Sequence, residues 1–216
     1  MNITVTDVDW NFDSLTDTTV TWRLRELPSF VRSLALDWNS LTDIPPFTQY
    51  WQIDTLEELS LSSNKIRTLV WDNIPTEVQV LGLSDNKLER LPPVRHTHRC
   101  LKVRQLFLNN NMIRMLHADM VPATVEELQM GGNQLIEVGD ISQLTLHLLD
   151  LEANNIREMR GDYLPASLQE LWLENLPLTE TVDLRHLVNL TDLWVSPSDC
   201  QQYKEMLPNL YVDCVE

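Results

Sequence analysis

The segment Leu56–Ile66 reads LEELSLSSNKI, and the segment Val78–Leu88, starting 22 residues later, reads VQVLGLSDNKL. Both fit one eleven-position pattern, L-x-x-L-x-L-x-x-N-x-L, with other aliphatic residues exchanging for Leu. Working outward, the pattern recurs as VRSLALDWNSL from Val31, VRQLFLNNNMI from Val103, VEELQMGGNQL from Val125 and LHLLDLEANNI from Leu146, making six unbroken copies. Two degraded copies follow, LQELWLENLPL from Leu168 and LTDLWVSPSDC from Leu190. The starts are separated by 25, 22, 25, 22, 21, 22 and 22 residues. Such a period marks stacked units, each burying its apolar face only against its neighbours. A chance stripe of leucines would not also keep Asn39, Asn64, Asn86, Asn111, Asn133 and Asn154 in register.

Within each copy the L-x-L alternation predicts a short strand with one buried face. The next copy supplies the next strand, so the strands stack in parallel. The Asn follows the strand where the chain turns inward. There its amide can satisfy backbone groups that the turn would otherwise bury unpaired, at about 1 kcal/mol per hydrogen bond. Ile44, Leu69, Leu91, Leu116, Val138 and Met159, each five residues after an Asn, are expected to plug the convex side of the core.

These copies resemble the leucine-rich repeat family over roughly residues 27–200. The resemblance implies an α/β fold: a right-handed solenoid, horseshoe or arc, with a concave parallel β-sheet and short irregular, 3-10 or helical convex segments. The chain then reads as a single domain, 1–216, with an N-terminal cap at 1–30, eight repeats at 31–200 and a C-terminal cap at 201–216. LPSFV, IPTEV, VPATV and LPASL, from Leu27, Ile74, Val121 and Leu164, precede the odd copies only. They resemble the LP-containing repeats of bacterial effector proteins, although the alternation and longer period differ, and no region remains for a ubiquitin-ligase domain. Because Pro fixes φ and lacks a donor, odd copies are expected to enter their strands from extended segments, and even copies, from WQID, HRCL, ISQL and HLVN, through a helical turn. In the caps, VDWN at Val8 echoes LDWN at Leu36, and the C-terminus suggests a helix near Gln201–Met206 and a last strand LYVDC.

Composition narrows the partners. The 216 residues carry 32 acids against 16 Lys and Arg, a formal charge of −16, which disfavours nucleic acid and anionic membranes. Neither a secretory leader nor an apolar run of membrane-spanning length is recognisable, so a cytoplasmic protein is expected. Three cysteines cannot make a disulfide framework. Cys200 and Cys214 are read as buried thiols in the cytosol, or as a bridge across the C-terminal cap if the protein is exported.

Strand alternation turns positions three, five and seven of each copy onto the concave face. Early copies present small, mostly polar residues there. Later ones present Phe107, Gln129, Asp150, Glu152, Glu170, Trp172, Glu174, Asp192 and Trp194. Trp172 and Trp194 share position five of adjacent copies and are expected side by side among carboxylates, a setting that suits an Arg or Lys side chain. Alternatively, the two indoles pack only against each other or beneath the cap. The expected function is a non-enzymatic protein-binding module or scaffold that holds a basic segment in the C-terminal half of the concave face. The alternatives are a structural subunit of a large assembly and the ligand-binding fragment of a receptor. No catalytic constellation or cofactor motif is seen.

Other motifs have plainer readings. His96, His98 and Cys100 have ligand-competent side chains but lack a fourth ligand, so a solvated loop is expected and no metal. Arg160-Gly161-Asp162 matches an integrin-binding tripeptide and reads as a Gly-permitted convex turn. Asp7, Asp9, Asp13 and Asp17 lack the Gly and terminal Glu of a calcium loop and read as a charged cap face.

Overall fold

The computed structural model describes residues 7–50, 54–95 and 101–214. Each copy contributes a strand of three or four residues at its L-x-L centre. The strands are β1 (Asp7–Asp9), β2 (Ser33–Ala35), β3 (Glu58–Ser60), β4 (Val80–Gly82), β5 (Gln105–Phe107), β6 (Glu127–Gln129), β7 (Leu148–Asp150), β8 (Glu170–Trp172), β9 (Asp192–Val195) and β10 (Tyr211–Cys214). They form one parallel ten-stranded sheet in chain order. The register is uniform: template position four pairs with position four, as in Leu59↔Leu81 and Leu81↔Leu106. The central leucines Leu34, Leu59, Leu81, Leu106, Leu128, Leu149, Leu171 and Leu193 are all buried on the inner face.

The six asparagines form the expected ladder, and all are buried. Asn111 Nδ2 donates to the Leu83 carbonyl of the preceding coil and the Leu108 carbonyl of its own, both at 3.0 Å. Its Oδ1 accepts from the Leu88 N–H at 3.0 Å. The same pattern repeats at Asn64, Asn86, Asn133 and Asn154. Just before each Asn, position eight lies in the left-handed region. Trp38, Ser63, Asp85, Asn110, Gly132 and Ala153 have φ between 49° and 66°, which aims the following amide inward. Beyond the ladder Ile44, Leu69, Leu91, Leu116 and Val138 are buried and Met159 partly so, as expected of the convex plug.

The alternation of coils is real, and 3-10 turns precede the odd copies, where the expectation had only extended entries. Single 3-10 turns occupy Trp71–Asn73, Ala118–Met120 and Gly161–Tyr163, immediately before Ile74-Pro75, Val121-Pro122 and Leu164-Pro165 of the odd copies. The residue before Pro is driven out of the helical region, so Ile74, Val121 and Leu164 end these turns in extended conformation. Proline therefore ends a turn here instead of imposing an extended entry throughout. Of the even entries, ISQL and HLVN hold only isolated turns. WQID and HRCL lie largely outside the described residues, although the short helix α2 (Phe47–Tyr50) precedes the former.

The segments at both ends extend the sheet. Val8 pairs with Leu34, so the VDWN echo is out of register by two residues. The chain around it is a coil in its own right: Phe12 is left-handed at position eight, and Asn39 binds the Leu15 N–H and the Trp10 carbonyl. Next comes α1 (Asp17–Leu24), opened by a Thr16–Thr19 capping box and burying Val20 and Leu24. Asp13 pairs with Arg23 and Asp17 accepts from the Thr42 N–H and hydroxyl, so these two acids serve the cap. At the other end Pro197 starts α3 (Pro197–Met206), close to the expected helix. Buried Tyr203 accepts from the Val182 N–H, and a Cys200–Cys214 disulfide joins α3 to β10.

Two substitutions test this construction. Asn111→Ala removes one donor and one acceptor group that together satisfy at least three buried backbone atoms. It is expected to cost about 2–4 kcal/mol in urea unfolding. A Cβ on Gly161 would run into the Asp183 carbonyl of the next coil, so Gly161→Ala is expected to lose about 1–3 kcal/mol by overpacking.

Candidate binding surface

On the concave face the register lines up three rows. At position five β6 to β10 contribute Gln129, Asp150, Trp172, Trp194 and Asp213. At position three they contribute Glu127, Leu148, Glu170, Asp192 and Tyr211. Position seven places Gly131, Glu152, Glu174 and Ser196 just beyond the strand centres. The parallel register thus brings Asp150, Glu152, Glu170, Trp172, Glu174, Asp192 and Trp194 together. Trp172 and Trp194 meet with ring centroids 4.7 Å apart at 38°. Both indoles are only partly buried, so neither is consumed by the core or the cap.

Phe107 and Gln129 stand apart from this group. Phe107 borders a shallow concavity floored by Ser60, Ser62, Gly82 and Ser84 in the small-residue half. Gln129 is held in a polar chain in which Asn109 Nδ2 donates to Gln129 Oε1 at 3.1 Å and Gln129 Nε2 donates to Glu127 Oε1 at 2.7 Å. Asp213 and exposed Tyr211 were missed in the sequence because the last strand lacks the template. Only its position after β9 places them on this face.

The carboxylates fall into two groups. Glu152, Glu170 and Asp192 are partly accessible, whereas Asp150 and Glu174, although turned to the concave side, are 5% exposed. Asp150 Oδ1 accepts from the Glu152 N–H at 2.9 Å. A Cβ at Gly131 would lie 2.8 Å from Asp150 Oδ2, so that glycine makes room for the carboxylate. Burial, with Glu152 adding to it, pushes Asp150 up to about 6 against the backbone hydrogen bonds that favour its charge. Burial, with the charges of Glu152, Asp150 and Asp213 adding to it, pushes Glu174 up to about 7. Glu174 Oε2 and Trp172 Nε1 are buried without a hydrogen-bond partner.

The other candidates resolve simply. Arg160 pairs with its own Asp162 at 2.6 Å and lies over the Tyr163 ring on the convex side, so the tripeptide's charges face each other. His96, His98 and Cys100 lie outside the described residues. Among the described residues no three His, Cys, Asp or Glu side chains converge as a metal site, and no helix is long and apolar enough to cross a membrane.

A family model, Leucine Rich Repeat, matches residues 55–76. The fold is similar to that of the functional domain of InlJ from Listeria monocytogenes, with 21% identity, TM-score 0.56, and coverage of 89% of this chain and 49% of that one. It is also similar to YopM, a leucine-rich effector protein from Yersinia pestis, with 24% identity, TM-score 0.61, and coverage of 86% and 55%. A third likeness is to TLR13, solved in complex with ssRNA13, with 18% identity, TM-score 0.65, and coverage of 98% and 39%. The chain spans about half the length of the first of these structures. No curated protein matches the sequence. With the repeat, the ladder and the sheet in hand, residues 55–76 match a leucine-rich repeat and the described residues have the leucine-rich repeat fold.

Glu174 gives a measurable consequence. Its carboxyl, ordinarily near 4.5, is raised to about 7 by folding, so the folded state keeps a proton that the unfolded chain has released. Its contribution to stability is intact below about 4.5 and erodes as pH rises through about 7. Glu174→Gln is expected to raise Tm over the unsubstituted protein at pH 8 by roughly 2–4 °C, and to match it at pH 4.5, in thermal scans followed by circular dichroism.

Proposed function

We propose that the protein is a non-enzymatic binding module whose concave face takes a basic segment of another protein at the Trp172–Trp194 pair. Solenoids of this kind offer extended concave surfaces suited to protein partners. The observation that carries the reading is the accessible indole pair bordered by Glu152, Glu170 and Asp192. An Arg or Lys side chain placed over an indole gains about 0.5–2 kcal/mol by cation–π attraction, and the surrounding carboxylates pair its charge. The formal charge of −16 supports a basic protein partner over nucleic acid or an anionic membrane surface. Residues 1–216 are taken to act as one unit, capped at both ends.

The cytoplasmic location expected from the sequence meets a counter-argument in the Cys200–Cys214 disulfide, since such bridges persist in oxidising compartments. Receptor-fragment and assembly-subunit readings share the same surface and differ in what else the native protein carries.

The test is fluorescence anisotropy with a labelled Lys- and Arg-rich peptide against a Glu-rich peptide of equal length. Only the basic peptide is expected to bind, more weakly as salt rises. The double variant Trp172→Ala, Trp194→Ala is expected to lose at least tenfold in affinity while keeping its far-ultraviolet circular dichroism. Undiminished binding by the folded double variant would refute the reading.

A further inference from the structure

Glu174 combines burial, a carboxylate neighbour in Glu152 of the preceding coil and a buried oxygen without a donor. A charged carboxylate in that position would leave a buried anion with an unsatisfied oxygen beside other anions, the arrangement that burial penalises most. The groups acting on it are of one sign: Asp150 and Glu152 from the preceding coil and Asp213 from β10. Glu170 lies further along its own strand, and its neighbour in the next coil is the uncharged Ser196, which accepts from the Asn175 N–H. The resting arrangement that fits this geometry has Glu174 protonated.

Resting on the proposed basic partner, we infer that the Glu152–Glu174 pair is the seat of a proton-for-cation exchange: one guanidinium or ammonium group of the partner settles on Glu152 beside the indoles, and the Glu174 proton leaves to solvent. The charge balance is one cation in and one proton out. The cation lands on the partly accessible Glu152 and does not have to reach the buried Glu174 oxygen. Pairing the Glu152 charge removes the largest of the like-charge repulsions that hold the proton on Glu174. Asp150 is a weaker contributor, because its charge already has a backbone donor in the Glu152 N–H. With Glu174 raised to about 7, the exchange falls in the neutral range, and the partner is held more tightly as pH rises.

The probe is an acetylated, amidated pentapeptide with one central arginine, and its citrulline counterpart is the control. Isothermal titration at pH 7 in phosphate and in Tris reads the protons released on binding. Affinities at pH 6 and pH 8 read the linkage, with a gain of about tenfold expected at the higher pH. Glu174→Gln is expected to release no proton and to bind with nearly the same affinity at both pH values; Glu152→Gln, as a second folded variant, is expected to lose the release as well. If the arginine peptide binds equally at both pH values without releasing a proton, or if Glu174→Gln keeps the full release, the exchange is overturned and the basic-partner reading stands. If the arginine peptide binds no better than the citrulline peptide at either pH, the basic-partner reading itself is overturned.

Discussion

Six successive coils of this protein each depend on one buried amide. The Asn at position nine accepts from a backbone N–H of the preceding coil and donates to carbonyls of both coils, so each link ties two turns of chain that would otherwise bury unpaired polar groups. The link requires a sharp inward turn one residue earlier, and the left-handed φ at position eight supplies it. Where Leu176 replaces the Asn, the side chain is buried but the ladder stops. The solenoid then closes through α3, Tyr203 and the Cys200–Cys214 bridge.

That same register builds the concave surface. Residues 22 apart, Trp172 and Trp194, become neighbours only because position five stacks on position five. Asp150 and Glu174 show the limit of such reasoning. Alternation assigns them to the concave side, but the glycine at Gly131 and the crowding of larger neighbours let their carboxylates sink among other side chains. A face is a periodic property and can be read from spacing; accessibility depends on the volumes of the neighbours, which spacing does not contain.

The sheet, the Asn ladder and the convex plug were legible because each rests on a side chain repeated at fixed intervals. The 3-10 turns were misplaced because the effect of Pro75, Pro122 and Pro165 falls on the residue before each proline, and a helical turn can still end there. The caps were harder still. Val8 aligns with Leu34 although the letters favour Leu36, since pairing follows the buried side chains and the turn at Phe12. Asp213 joined the acidic group with no motif to announce it.

Among the described residues, strands β1 and β10 are the two edges of the sheet. Were one molecule's β10 to continue into the next molecule's β1 in the register that runs through the sheet, Tyr211 would stand opposite Asp7 and Asp213 opposite Asp9. Like charges facing each other across strands are destabilising, and charged edges are a common guard against edge-to-edge pairing. Acids at the two edges of the described sheet therefore disfavour head-to-tail pairing of its edge strands.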